Sequence, residues 1–142
     1  MQTKQLPLST ARWIVLALYF TGLVVYPVVG GLVKLPRPAP PEALRILPLV
    51  FLIAGVVDYM VSLVIEAVML AKARKAQSSI GAGNVAVVSA GFGEILAIWG
   101  LVLTLLGAGS WGALLYGLCF VHGVHLMLRW SNFAEVAAGE ET

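Results

Sequence analysis

The chain has 142 residues, 60% of them hydrophobic and only 11% charged, with a formal net charge of +2. A soluble domain carries about a quarter of its residues as charges, so this composition excludes an ordinary water-soluble globule and reads as a polytopic membrane protein. No basic cluster suits nucleic acid, and one cysteine, Cys119, excludes an internal disulfide or a cysteine-based metal site.

Four apolar stretches follow one another, which predicts one integral membrane domain over 1–142. The first, 13–33, follows a short polar N-terminus containing Lys4 and Arg12. It is long enough to span, and no small-x-small cleavage site follows it, so it reads as a retained span rather than a signal peptide. Pro27 predicts a kink near its far end. The segment 34–41 (KLPRPAPP) reads as an extended, rigid connection. The second span is placed at 46–71, with Pro48 in its first turn, where a missing N–H costs little. A basic and then small, polar loop, 72–83, precedes the third span at 84–107. Residues 107–112 (GAGSWG) read as a tight turn into the fourth span, 111–128, and 131–142 as a flexible acidic tail. Period-2 alternation is absent, so helices are expected rather than a barrel. The fold class is all-α, a four-transmembrane-helix bundle.

The side shared by the N-terminus, the middle loop and the C-terminus holds Lys4, Arg12, Lys72, Arg74, Lys75 and Arg129; the other holds Lys34, Arg37 and Arg45. The positive-inside rule then places both termini in the cytoplasm, in a bacterial inner membrane. Trp13, Trp111 and Trp130 fall near span ends, where indoles favour the interface, whereas Trp99 is expected within the bundle.

The third span carries small residues in steps of four and three: Ala86, Ala90, Gly93, Ala97, Gly100, Thr104 and Gly107. Such a stripe lets backbones approach closely, either inside one bundle or between copies.

Ionisable residues are few enough to place by depth. Asp58 lies ~18 Å from one end of its span, Glu94 ~15 Å and His122 ~16 Å from the ends of theirs, so these three share the middle third of the membrane; Glu66 and His125 lie one to two turns nearer the cytoplasm. No Lys or Arg falls at the depth of the acids. Each carboxyl must therefore be protonated, bind a cation or pair with a protonated histidine. Glu94 in particular is expected to be protonated or histidine-paired. Glu66 is expected to reach toward the headgroups and Lys72, and Asp58 and Glu66, eight apart, to share a face. Asp58, Glu66, Glu94 and His122 are candidates for an ion or proton pathway. His122 and His125 form an HxxH pair that gives a metal two ligands and needs Glu94 or Asp58 as further ones. No other cofactor is expected. No nucleophile elbow, phosphate loop, HExxH or dinucleotide fingerprint is present, so no enzyme is expected.

Residues 91–107 (GFGEILAIWGLVLTLLG) resemble the carboxylate helix of the proteolipid (c or K) subunits of rotary ATPases, in which a Glu or Asp precedes a pattern close to A-I-x-G-L-V-L-x-L-L. That resemblance implies that Glu94 is a proton- or sodium-carrying carboxylate and that Gly93, Ala97 and Gly100 are ring-packing positions. The same segment also resembles small, uncharacterised four-span bacterial membrane proteins. Three functional expectations follow. The first is a non-enzymatic subunit or accessory factor of a larger membrane complex, its partners being the lipid bilayer and other membrane subunits or further copies of itself. The second is a proteolipid-like proton or sodium translocator. The third is a redox subunit binding a metal or cofactor at His122 and His125.

Overall fold

The computed structural model describes residues 6–33, 39–75 and 81–140. Among these the chain is helical, with no strand. Helix α1 runs Leu8–Leu32, α2 Pro41–Arg74, α3 Ala82–Leu105 and α4 Gly109–Leu128; all four are long and apolar enough to cross a membrane. A fifth helix, α5, covers Trp130–Glu140. The proline-rich connection expected to be rigid lies mostly outside the described residues; its last part is tied down where the Ala39 N–H donates to the Leu106 carbonyl at 3.3 Å.

The Pro27 irregularity has a specific form. Thr21–Val25 is a π-helical turn, and the Tyr26 N–H donates to the Thr21 carbonyl five residues back. A proline ring collides with the carbonyl four residues before it and has no N–H to offer. Widening the helix by one residue per turn just before Pro27 relieves that collision without ending the span. Thr21 Oγ1 also donates to the Ala17 carbonyl at 3.0 Å.

Helix α2 is longer at both ends than its expected span. Pro41 occupies the first turn, where its fixed φ is pre-set for a helix, and Glu42 favours the positive end of the dipole. Lys72 and Arg74 occupy the last turn. Pro48 is consequently not in the first turn but inside the helix, and buried.

Helix α3 sits at the centre. Gly83 and Gly22 place α1 parallel to it: a Cβ on Gly83 would strike the Leu6 carbonyl, and one on Gly22 would fall 2.8 Å from the Ala97 Cβ. Helix α2 runs antiparallel to α3, with Gly55 against Leu96 at one level and Glu66 against Ser89 at another. Helix α4 is also antiparallel to α3, with Gly93 against His122 and Gly100 against Gly112. The small-residue stripe is used within one chain: Ala86, Ala90, Gly93, Ala97 and Gly100 are buried and Thr104 half-buried. Gly107 is not part of it. It follows α3, with φ 93°. The Ala108 N–H donates to Leu103 O at 2.8 Å and the Gly107 N–H to Thr104 O at 3.1 Å, which is a Schellman motif.

Residues 131–140, expected as part of a mobile tail, belong with Trp130 to a helix because Trp130, Phe133, Val136 and Ala137 recur at helical spacing. Phe133 and Val136 are buried in a cluster with Leu70, Ala82, Ala86 and Leu126, so α5 covers one end of the bundle.

Only glycine holds the left-handed conformation at 107 without strain. Gly107→Ala is expected to destabilise the protein by about 1–2 kcal/mol, whereas Gly109→Ala, with open space around its Cβ position, is expected to be near neutral. Thermal unfolding in one detergent checks the pair.

Candidate functional site: an interior polar chain

The buried stripe of α1 is Ala11, Val15, Tyr19, Gly22 and Gly30, and that of α2 includes Gly55, Ser62, Glu66 and Leu70. These spacings turn one hydroxyl from each helix toward α4. Tyr19 Oη lies 2.5 Å from His122 Nδ1, and Ser62 Oγ lies 2.9 Å from His122 Nε2. Ser62 Oγ also lies 2.7 Å from the Tyr59 carbonyl. A carbonyl can only accept, so the single hydroxyl proton of Ser62 is committed there and Ser62 must accept from Nε2–H. The ring is then the Nε2–H tautomer, and Tyr19 donates to Nδ1. The order is Tyr19 O–H to His122, His122 N–H to Ser62, Ser62 O–H to Tyr59 C=O. It joins α1, α4 and α2. The Tyr59 ring stands edge-on to the imidazole, with centroids 5.4 Å apart.

Gly93 makes this crossing feasible. A Cβ there would fall 2.7 Å from Tyr19 Oη and 3.0 Å from His122 Nδ1. The residue before Glu94 is therefore small because the hydroxyl–imidazole pair passes over it.

One to two turns away is a second polar group. Glu66, with a fully buried side chain, accepts from Ser89 Oγ at 3.0 Å through Oε2. Its Oε1 lies 2.9 Å from Arg129 Nη1, close enough for an ion pair but outside the angles of an aligned hydrogen bond. This corrects two expectations. Glu66 is paired with Arg129, not Lys72, which is exposed. A cation does reach one of the acids, Glu66, because Arg129 directly follows α4 and a long arginine side chain spans more than a helical turn.

Glu94 is half-buried on α3. Its Oε2 is buried without a hydrogen-bond partner and faces the π turn of α1: a Cβ on Gly22 would lie 3.3 Å from it and 3.5 Å from Cys119 Sγ. Tyr26, one residue past the π turn, lies near the Glu94 carboxyl. No hydrogen bond joins Glu94 to His122 among the described residues, so the histidine-paired form of the expectation is not what the geometry displays. Asp58 does not share the Glu66 face. It is half-buried, and no hydrogen bond or ion pair within the described residues engages it.

Both ring nitrogens of His122 are occupied by hydroxyls, and His125 is half-buried with its Nε2 unpartnered. No three His, Cys, Asp or Glu side chains converge among the described residues, so the HxxH pair finds no third ligand there. Tyr19, Ser62, Ser89 and Arg129 were not among the candidate site residues read from the sequence. Hydroxyls are cheap in a bilayer and carry no depth signal; the readable sign was helical spacing, Ser62 lying four residues before Glu66 and Tyr19 four after Val15. No family model, curated protein or solved structure matches the chain.

Breaking a buried pair by removing one member costs about 3–5 kcal/mol; with Arg129 partly exposed, Arg129→Gln is expected to cost about 3 kcal/mol. Lys72→Gln is expected to change stability by less than about 0.5 kcal/mol. Chemical or thermal unfolding of both variants in detergent separates the two pairings.

Proposed function

We propose that this protein is a non-enzymatic integral membrane protein, a subunit or accessory factor of a larger membrane complex, with both termini cytoplasmic in a bacterial inner membrane. The observation that carries this reading is Asp58. An acid in the middle third of a span normally faces a partner or water, yet Asp58 is half-buried at the margin of α2 beside the exposed Val57 and Val61 and has no partner among the described residues of its own chain. A polar group on a neighbouring membrane chain is what would satisfy it.

The interior polar chain supports the same reading. A relay must hand its proton onward, and this one ends on the Tyr59 carbonyl, which has none to give. Tyr19, His122 and Ser62 act as a cross-link between three helices, each bond contributing about 0.6–2 kcal/mol. The orientation rests on the six-to-three excess of Lys and Arg on the side of the N-terminus.

Native mass spectrometry of gently solubilised membranes is expected to find the wild-type chain bound to a second component at fixed stoichiometry. Asp58→Leu is expected to release it while leaving the melting temperature unchanged or raised. A lone wild-type monomer would count decisively against the proposal.

A second reading, a proton or sodium carrier of proteolipid type, is favoured by one observation: Glu94 Oε2 is buried and unpartnered opposite the π turn. Under the subunit reading, Glu94→Gln keeps both fold and assembly. Loss of ion flux in proteoliposomes on this substitution, with assembly intact, would shift the assignment to the carrier.

A further inference from the structure

Beyond the polar interior, three cationic side chains meet at one end of the bundle. Arg74 and Lys75, at the C-terminal end of α2, and Arg129, following α4, line a cavity of about 320 Å³ together with Ala67, Leu70 and Ala71. Arg74 and Lys75 are exposed and have no acidic partner among the described residues. Glu66 neutralises one of the three charges through Arg129, whose side chain remains 33% exposed. Two positive charges without an acidic partner among the described residues are left around the opening.

The geometry points to a binding site for the phosphate headgroup of an anionic phospholipid. The cations lie where an apolar span gives way to polar chain, which is the level of the headgroups. Ala67 and Ala71, both exposed, continue the wall up α2 on the side where the acyl chain would lie. A small soluble anion would use the cations but has no use for that apolar wall. Arg129 belongs both to this cavity and to the buried Glu66 pair. A lipid phosphate here therefore shares its guanidinium with the bundle interior and adds to what holds α2 against α4. The site does not depend on the subunit reading, since it is complete within one chain.

The test is native mass spectrometry and thermal unfolding of the full chain in detergent, titrated separately with phosphatidylglycerol, phosphatidylcholine and inorganic phosphate. Phosphatidylglycerol is expected to be retained and to stabilise the protein, phosphatidylcholine much less, and inorganic phosphate not at all. Each interfacial cation contributes about a fivefold effect, so Arg74→Ala combined with Lys75→Ala should weaken phosphatidylglycerol binding about thirtyfold. Arg45→Ala, toward the opposite end of α2, should leave it unchanged. Because a variant can fail for want of folding, the wild type carries an independent arm: raising salt should abolish its preference for the anionic lipid. Equal binding of the two lipids, a preference insensitive to salt, or no effect of the double substitution in folded protein would overturn the site. Equal protection by inorganic phosphate would make it a free-anion site instead.

Discussion

The bilayer interior contains no water, so every polar side chain placed there must find its partner in protein. Much of this molecule's internal arrangement follows from that constraint. His122 is held on one side by Tyr19 and on the other by Ser62. Glu66 is held by Ser89 and Arg129. In lipid, helices gain little from burying more hydrocarbon against one another, and packing and hydrogen bonds decide how they associate. Two small polar clusters, one in the middle of the bundle and one nearer α5, therefore do for the helices what a hydrophobic core does in a soluble protein.

The small residues serve these clusters. Gly93 is small because Tyr19 and His122 cross over it, and Gly22 because α1 approaches Ala97 and Glu94 there. Pro27 contributes at a distance. It forces the π turn at Thr21–Val25, and that turn is where Gly22 lies. A backbone accommodation that would otherwise be a defect thus sits opposite the one buried carboxyl oxygen of α3 that lacks a partner.

Four helices long and apolar enough to cross a membrane were legible because an unbroken apolar run of about twenty residues matches the thickness of the hydrocarbon core. The relative level of two helices was legible too: Gly93, beside Glu94, lies at the level of His122. Rotation about each helix axis was not. Eight residues turn a helix through about 800°, some 80° past a whole number of turns, which is enough to bury Glu66 while leaving Asp58 at the margin. The reach of α2 to Arg74 was missed because charges near span ends look like loop. The helix at 130–140 was missed because its acidic residues outweighed the Trp130, Phe133 and Val136 spacing. Arg129 was counted for orientation and not as a partner, because a side chain that reaches back into the bundle leaves no trace in the order of residues.

The direction of the Tyr19–His122–Ser62 chain is the point on which the structural role of the interior rests. Nitrogen NMR of the imidazole, with the protein in lipid, reads it directly. The account requires a neutral His122 ring protonated on Nε2, with Nδ1 bare and accepting from Tyr19, and requires Tyr19→Phe to change the Nδ1 signal while the proton stays on Nε2. A ring protonated on Nδ1, or one carrying both protons at neutral pH, would contradict it.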